Sequence, residues 1–337
     1  MEAGLRNKPG VANVADGGST GRSTGDMHGI DSLSRLLSLF TLRTSLDVRC
    51  ALAAPWVLEQ PASTAGVAPY HLIVEGEAAV DTPTGERIGL RAGDIVVFPQ
   101  GGAHRLHAGP PEQAQPLVDV PGPAPLRWVS NDGAGAATGI LCGQFVFDDG
   151  ARRVLQPALP DMIVVRASSR PDFAGLLALV TMLRSEADSA RPGAAAVVAQ
   201  LSGALFTLLL RAWLDDSPTT PGLLAVLADR RLGPALRGML AQPERPWLVE
   251  ELAAACFMSR ATFARLFRQL AGTTPLDVLV QLRMVQAAQW LARDTRPVAA
   301  IGEAVGYQSE AAFNRVFKRS YGVGPGAWRR AAMATPG

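Results

Sequence analysis

Cysteine is scarce. The chain of 337 residues has three, Cys50, Cys142 and Cys256. No two stand at the short spacing of a zinc site, and three cannot build a disulfide framework. Zinc fingers and small disulfide-stapled folds are thereby excluded, and a reducing cytosol fits. The first residues lack the apolar stretch of a secretory signal. Long uncharged runs are rare as well. One of nineteen residues lies between Arg191 and Arg211. It is rich in Ala and carries Gln200, Ser202 and Thr207, so it reads as a helix buried against protein rather than a membrane span. Net charge is only +2, but its distribution is uneven. Glu244 to Arg330 holds twelve Arg/Lys against seven Asp/Glu; the remainder holds twenty against twenty-three. A basic C-terminal part is the asymmetry expected of a nucleic-acid binder.

What is present is a pattern written twice. LAAACFMSRATFARLFRQLAGTTP, Leu252 to Pro275, falls on GEAVGYQSEAAFNRVFKRSYGVGP, Gly302 to Pro325, after a shift of fifty positions without a gap. Ser259 falls on Ser309, Phe263 on Phe313, Arg265 on Arg315, Phe267 on Phe317, Gly272 on Gly322 and Pro275 on Pro325. Each copy has the grammar of a helix-turn-helix. A short helix ends near Ala255 or Val305. Gly306 suits the tight turn, with Cys256 in the same place in the first copy, and Ser259 and Ser309 are N-caps. The second helix of each copy buries one face, Phe263, Leu266, Phe267 and Leu270 or Phe313, Val316 and Phe317. Its other face is small, polar and basic. Arg can bond guanine bidentately and Asn adenine, so that face suits a major groove. Leu276 to Ala292 joins the copies as one helix and fixes their separation.

Together with Arg296-Pro297, IGEAVGYQS and GVGPGAWRR, this repeat resembles the DNA-binding domain of AraC/XylS-type transcription regulators over roughly the last hundred residues. The resemblance implies a seven-helix module. Its DNA-contacting positions fall at or beside Arg260, Ala261, Thr262, Ala264, Arg265, Arg268, Glu310, Ala311, Asn314, Arg315 and Lys318. Double-stranded DNA and RNA polymerase are the implied partners, and the helical part of the sensor domain is the implied homodimer contact.

Earlier in the chain, Met1 to about Asp26 is Gly- and Ser-rich without periodicity and reads as a disordered tail, with Met27 a candidate start. From Asp47 to about Phe147, short apolar or alternating runs punctuated by Gly and Pro predict an all-β barrel or sandwich. Gly109 to Pro125, dense in Pro, reads as a surface connection. Gly93, Pro99, Gly101 and His104 reproduce the spacing of the second cupin motif. The first is degraded: Pro69 stands at its acidic position, and Ser63 and Ala65 at its two His positions. The barrel therefore resembles a cupin without its three-His-one-Glu metal site. His71 and His104 remain as weak metal candidates and, with Glu75, as candidate effector contacts; His107 lies nearby. Cys50 and Cys142 read as buried structural cysteines, with a role as redox thiols the alternative. From Asp172 to Leu214 two helices are predicted, the first starting at Phe173, and DDSPTTP, Asp215 to Pro221, reads as a linker.

The expected fold is α+β. A cupin-like β-barrel with a helical dimerisation segment spans residues 27–217, behind a tail of 1–26. An all-α domain with two helix-turn-helix motifs spans 221–333. The function this implies is a cytoplasmic, sequence-specific transcription regulator controlled by a small-molecule or stress signal, not an enzyme, with no cofactor. The alternatives are a metal-dependent cupin enzyme and a thiol-based redox-sensing regulator.

Overall fold

The computed structural model describes residues 31–334, apart from 83–84, 86, 125, 167–173, 190 and 217–220. The N-terminal tail, Met27, Phe173 and most of the linker lie outside the described residues. Two sheets form the N-terminal half. The larger runs in the order β11 (Ile163–Arg166), β6 (Asp94–Val97), β3 (Val67–Glu75), β10 (Ala137–Phe147), β1 (Leu42–Ala53), β9 (Arg127–Ser130), β8 (Val118–Val120). The smaller runs β2 (Trp56–Gln60), β7 (His104–Ala108), β4 (Glu77–Asp81), β5 (Arg87–Arg91). Among the described residues all pairings are antiparallel except β1 with β9. The stretch expected to be a plain surface connection contains β8, which the alternation of its three residues is too short to announce.

Successive side chains of a strand point to opposite faces, and the central strands bury both. Cys50, Ile73, Val96 and Ile140 face the smaller sheet and close a core with Trp56, Phe98 and Leu106. Tyr70, Leu72, Leu141 and Phe145 face the other way. There α4 (Ala194–Asp216) lies on them, with Phe206 centred 5.1 Å from Phe145 and 5.8 Å from Phe147. Helix α4 is long and apolar enough to cross a membrane. Here Leu205, Phe206, Leu209 and Leu210 are spent on the sheet and on α3 (Ala174–Ala187), each worth roughly 1.5–3 kcal/mol when fully buried.

The C-terminal half is helical. After the short α5 (Leu223–Ala228) come seven helices: α6 (Gly233–Ala241), α7 (Val249–Ala255), α8 (Arg260–Ala271), α9 (Pro275–Arg293), α10 (Val298–Ala304), α11 (Glu310–Tyr321) and α12 (Pro325–Ala334). The punctuation is as read. Ser259 Oγ accepts from the Thr262 N–H at 3.3 Å and Ser309 Oγ from the Ala312 N–H at 3.5 Å. Gly272 and Gly322 close α8 and α11 in the left-handed region, φ 75° and 77°. Thr274 caps α9, with Pro275 at its first position.

The turn of the first motif departs from the sequence reading. In the second copy the left-handed residue is Gly306, φ 89°, where an added Cβ would meet the Glu244 carbonyl oxygen at 2.3 Å. In the first copy it is not Cys256, φ −99°, but Phe257, φ 54°. Both turns close alike, Met258 N–H on the Ala253 carbonyl and Tyr307 N–H on the Gly302 carbonyl, each 3.0 Å. The first helix therefore runs one residue further before it turns, and the fifty-residue alignment slips by one there. Cys256 is instead buried against the core. Phe257 is 98% exposed, so no burial offsets its strain. A left-handed L-residue costs roughly 1–2 kcal/mol, and glycine is exempt. Phe257→Gly should therefore raise the unfolding free energy by about 1 kcal/mol, net of the extra entropy glycine gives the unfolded chain. Urea denaturation measures it; an unchanged or lower midpoint would contradict the strain.

Candidate nucleic-acid interface and sensor cluster

Phe263 and Phe267, and likewise Phe313 and Phe317, are wholly buried, which fixes the roll of α8 and α11. Arg265, Arg268, Arg315 and Lys318 are thereby turned to solvent, as are Ala261 and Ala311. Asn314 is half-buried beside them. The first motif is the plainer one. Ala261 and Ala264 offer methyl groups only, the Thr262 hydroxyl accepts from Ser259 Oγ at 3.0 Å, and Arg260 pairs with Glu250 at 3.0 Å. That pair is well exposed on both sides and holds Arg260 only weakly. Glu310 opens α11, where its charge suits the helix N-terminus and repels phosphate. Helix α9 spans nineteen residues, about 28 Å at 1.5 Å per residue. That approaches one turn of B-DNA, the separation at which two recognition helices reach successive major grooves.

The second cluster lies between the sheets. His104 Nδ1 stands 2.8 Å from the Gly102 carbonyl oxygen, His71 Nε2 stands 2.7 Å from His104 Nε2, and His71 Nδ1 stands 3.1 Å from Cys142 Sγ. Phe98 stacks on the His104 ring at 3.5 Å, a contact the sequence motif carries but spacing alone does not reveal. Register brings the cluster together. Cys142 pairs with His71 on one side and Val48 on the other, while Cys50 pairs with Ile140. Cys50 and Cys142 are thus diagonal neighbours on one face of the sheet. The Cys50 thiol is held down, first by its neighbour Cys142 and then by Arg49 and Arg127, against burial. Cys142 is pushed up in turn by Cys50 and by burial. Burial, and then His104, push His71 down to about 3; burial lowers His104 too, against the bond to Gly102.

Two sequence candidates do not join this cluster. A bulge in β3 sets Ile73 opposite Ile140 but Glu75 opposite Gly139. That extra residue turns Glu75 out of the barrel, where it pairs with Arg184 at 3.2 Å. His107 sits on the opposite face of β7 from His104, 3.3 Å from Asp81. A cupin metal does not fit the remaining residues. Two imidazole nitrogens on one ion at about 2.0–2.1 Å would stand about 3.4 Å apart in tetrahedral geometry, whereas these touch at hydrogen-bond distance. Cys142 engages the far nitrogen of His71, so the three groups do not converge on a point.

A two-sheet β-barrel joined to a paired helix-turn-helix module is the architecture of a DNA-binding transcription regulator. Residues 31–215 match the family described as Cupin, and residues 252–331 the family described as Helix-turn-helix domain. The chain is 36% identical over 300 residues to the RCS-specific HTH-type transcriptional activator RclR of Escherichia coli (strain K12), covering 89% of this chain and 97% of that one. It is 31% identical over 308 residues to the HTH-type transcriptional regulator MtrA of Neisseria gonorrhoeae, covering 89% and 98%. Among solved structures, the DNA-binding domain of AdpA in complex with a target DNA matches 32% of this chain and 96% of its own at 34% identity, with a TM-score of 0.31. The chain belongs to the AraC-type family of helix-turn-helix transcription regulators that carry an N-terminal cupin domain.

We propose that Arg315 meets a base edge and Lys318 a phosphate. Arg315→Ala should weaken specific binding by roughly 1–3 kcal/mol and relax preference at one base pair. Lys318→Ala should weaken all sequences alike and flatten the log–log salt dependence by about one unit. Anisotropy titrations over a salt series would measure both; equal effects on specific and random DNA for Arg315→Ala would remove it from base readout.

Proposed function

We propose that this regulator is switched by oxidation of its Cys50–Cys142 pair, that it acts as a cytoplasmic homodimer with RNA polymerase, and that it has no enzymatic activity. The observation that carries the reading is the register of β1 and β10, which makes two free thiols diagonal neighbours on the inner face of one sheet. The small-molecule effector is then an oxidant, and the pair is its target. A relative whose name makes it an RCS-specific activator is in keeping with a reactive signal. The rival enzyme reading needs a metal site that the histidine geometry does not provide.

The same two strands lead to the reader. Strand β1 begins beside Thr41, whose Oγ1 accepts from Arg293 of α9 at 2.9 Å. Strand β10 ends at Asp148, which accepts from the Thr41 N–H at 2.5 Å and caps α2 (Asp149–Val154) through the Ala151 N–H at 2.7 Å. Helix α2 in turn lies on Val285 of α9 and places Arg153 5.2 Å over the Tyr321 ring. A cross-link between β1 and β10 pulls on both strands that hold α9, and so biases where the second motif stands.

The expected outcome is read in two steps. Genome-wide binding locates operators, which should vanish with Arg265→Ala plus Arg315→Ala. On such an operator, stoichiometric oxidant should change the affinity of the unsubstituted protein at least tenfold, reversibly with a dithiol. Cys50→Ser and Cys142→Ser should bind as the reduced protein does and ignore the oxidant. Retention of the response in both variants would sink the thiol reading. The dimer contact is assigned to α4, whose solvent side is Ala-rich and leaves Val197 exposed. Val197→Glu should yield monomers in sedimentation; an unaltered dimer would move the contact elsewhere.

A further inference from the structure

The hydrogen bonds around His71 fix where every proton lies. The Gly102 carbonyl can only accept, so His104 Nδ1 carries a hydrogen and, in the neutral ring, His104 Nε2 is bare. His71 Nε2 is 2.7 Å from that bare nitrogen and must therefore be the donor. His71 Nδ1 is then bare and must accept, and the group it faces at 3.1 Å is Cys142 Sγ. One backbone carbonyl thus orders a chain that runs from the Cys142 thiol through His71 to His104 and ends at Gly102. Phe98 stacked on His104 holds the terminal ring in place. His104 also borders a surface depression of about 420 Å³, with Asp81 and Arg105 on its rim; Cys50 is fully buried.

We propose that His71 and His104 form a relay that takes one proton from the Cys50–Cys142 thiol pair as the pair attacks an oxidant. This rests on the redox reading above and deepens it. In the step, Cys142 S–H gives its proton to His71 Nδ1 while His71 Nε2–H passes its own to His104 Nε2. His104 becomes the imidazolium, His71 stays neutral with its hydrogen moved to the other nitrogen, and one negative charge appears on the sulfur pair. No electrons move at this stage. The Cys50 S–H then hydrogen-bonds the Cys142 thiolate or gives up its proton to it, so either sulfur can carry the attack. The attacking sulfur bonds the terminal oxygen of a hydroperoxide, the O–O bond breaks, the departing alkoxide or hydroxide takes a proton from water, and His104 returns its own proton to the hydroxide so formed. The resulting sulfenic acid is displaced by the second thiol, forming the disulfide and releasing water. Two thiols are oxidised by two electrons and one hydroperoxide is reduced to an alcohol or water.

Burial accounts for the need for two rings. His71, pushed down to about 3 by its surroundings, cannot rest as a cation. His104 lies next to the depression and donates Nδ1–H to a carbonyl, a bond that favours its charged form. The relay moves the positive charge from the inner ring to the outer one. Arg49, held by Asp188 at 3.0 Å, stays beside the thiols throughout. Both histidines are positioning residues here, since neither touches the oxidant.

The test uses the full chain with Cys256→Ser, so that only the pair reacts, and reads the rate of first alkylation by iodoacetamide against pH. Mass spectrometry supplies the readout. With the relay intact, the rate should level off near neutral pH. In His104→Gln, whose carbonyl can still accept from His71 but cannot hold a proton, the rate should keep climbing into the alkaline range and be at least tenfold lower at pH 7. His71→Gln should match it, and the double variant should be no slower than either, because the two act as one unit. An unchanged profile in His104→Gln overturns the relay. Unfolding would show as faster alkylation at every pH. In that event His104→Ala decides, with and without free imidazole, which can enter by the depression. Imidazole-dependent recovery in folded protein supports the relay, and its absence overturns it. Alkylation reads the relay alone, whereas oxidant-dependent operator binding reads the proposed function, so either can fail without the other.

Discussion

Burial of both faces of one sheet is the constraint on which this structure depends. Along β1, β3 and β10, odd and even residues feed two different cores, one inside the barrel and one beneath the helices. Neither face can slip by a residue without exchanging the two sets. That rigidity holds Cys50, Cys142 and His71 on the inner face at fixed offsets. The outer face, through Tyr70, Leu72 and Phe145, supports α4. A sensor cluster made of polar groups is tolerable there only because each is paired. His71 uses both ring nitrogens, His104 uses both of its own, and Arg49 is held by Asp188 and by the Cys50 carbonyl. An unpaired polar group in such a core would cost roughly 1–3 kcal/mol.

The outer core does not stop at the sensor. Leu36, Phe40, Leu155 and Leu223 form one continuous apolar body with Leu236, Leu252, Phe263 and Phe267 of the first motif. The second motif has a core of its own, built on Met284, Leu291, Ile301, Phe313, Phe317 and Tyr321. Helix α9 contributes Val278, Leu282 and Val285 to the former and Met284, Ala287 and Leu291 to the latter. It is therefore a beam shared by two bodies. The first motif is cemented to the sensor, and the second hangs from the far end of α9.

Much of this was legible in the residues. The double repeat announced itself because helix caps, core phenylalanines and C-terminal glycines recur at fixed spacing, and local chemistry decides all three. The cupin-like second motif was legible for the same reason, since Gly93 and Gly101 sit in turns with positive φ. What the sequence hid depends on register and on slips of one residue. Glu75 shares strand parity with His71 on paper, and a single bulge in β3 turns it outward. Cys256 looked like the counterpart of Gly306, yet Phe257 takes the left-handed turn. Cys50 and Cys142 lie far apart in the chain. Nothing in their local sequence says that the pairing of β1 with β10 makes them diagonal neighbours.

The unequal attachment of the two motifs bears on how a signal could travel. Shifting the first motif against the sensor would tear apart a core of many large side chains, each worth roughly 1.5–3 kcal/mol. The sensor's hold on the far half of α9 is of another kind. It includes the Arg293–Thr41 hydrogen bond and a long bond from Gln289 to the Ser38 carbonyl at 3.4 Å, beside the packing of α2 on Val285, while Arg153 reaches Tyr321 of α11. Exposed polar contacts of this sort are worth roughly 1 kcal/mol or less apiece. A disulfide that strained β1 against β10 could break them without unfolding anything. The two motifs present matching cations, Arg265 and Arg268 on the first and Arg315 and Lys318 on the second, and differ in that Asn314 stands where the first has Ala264. The weaker joint therefore lies between the N-terminal half and the second motif, whose core is separate, and a small displacement of β1 and β10 acts there before it acts on the first motif.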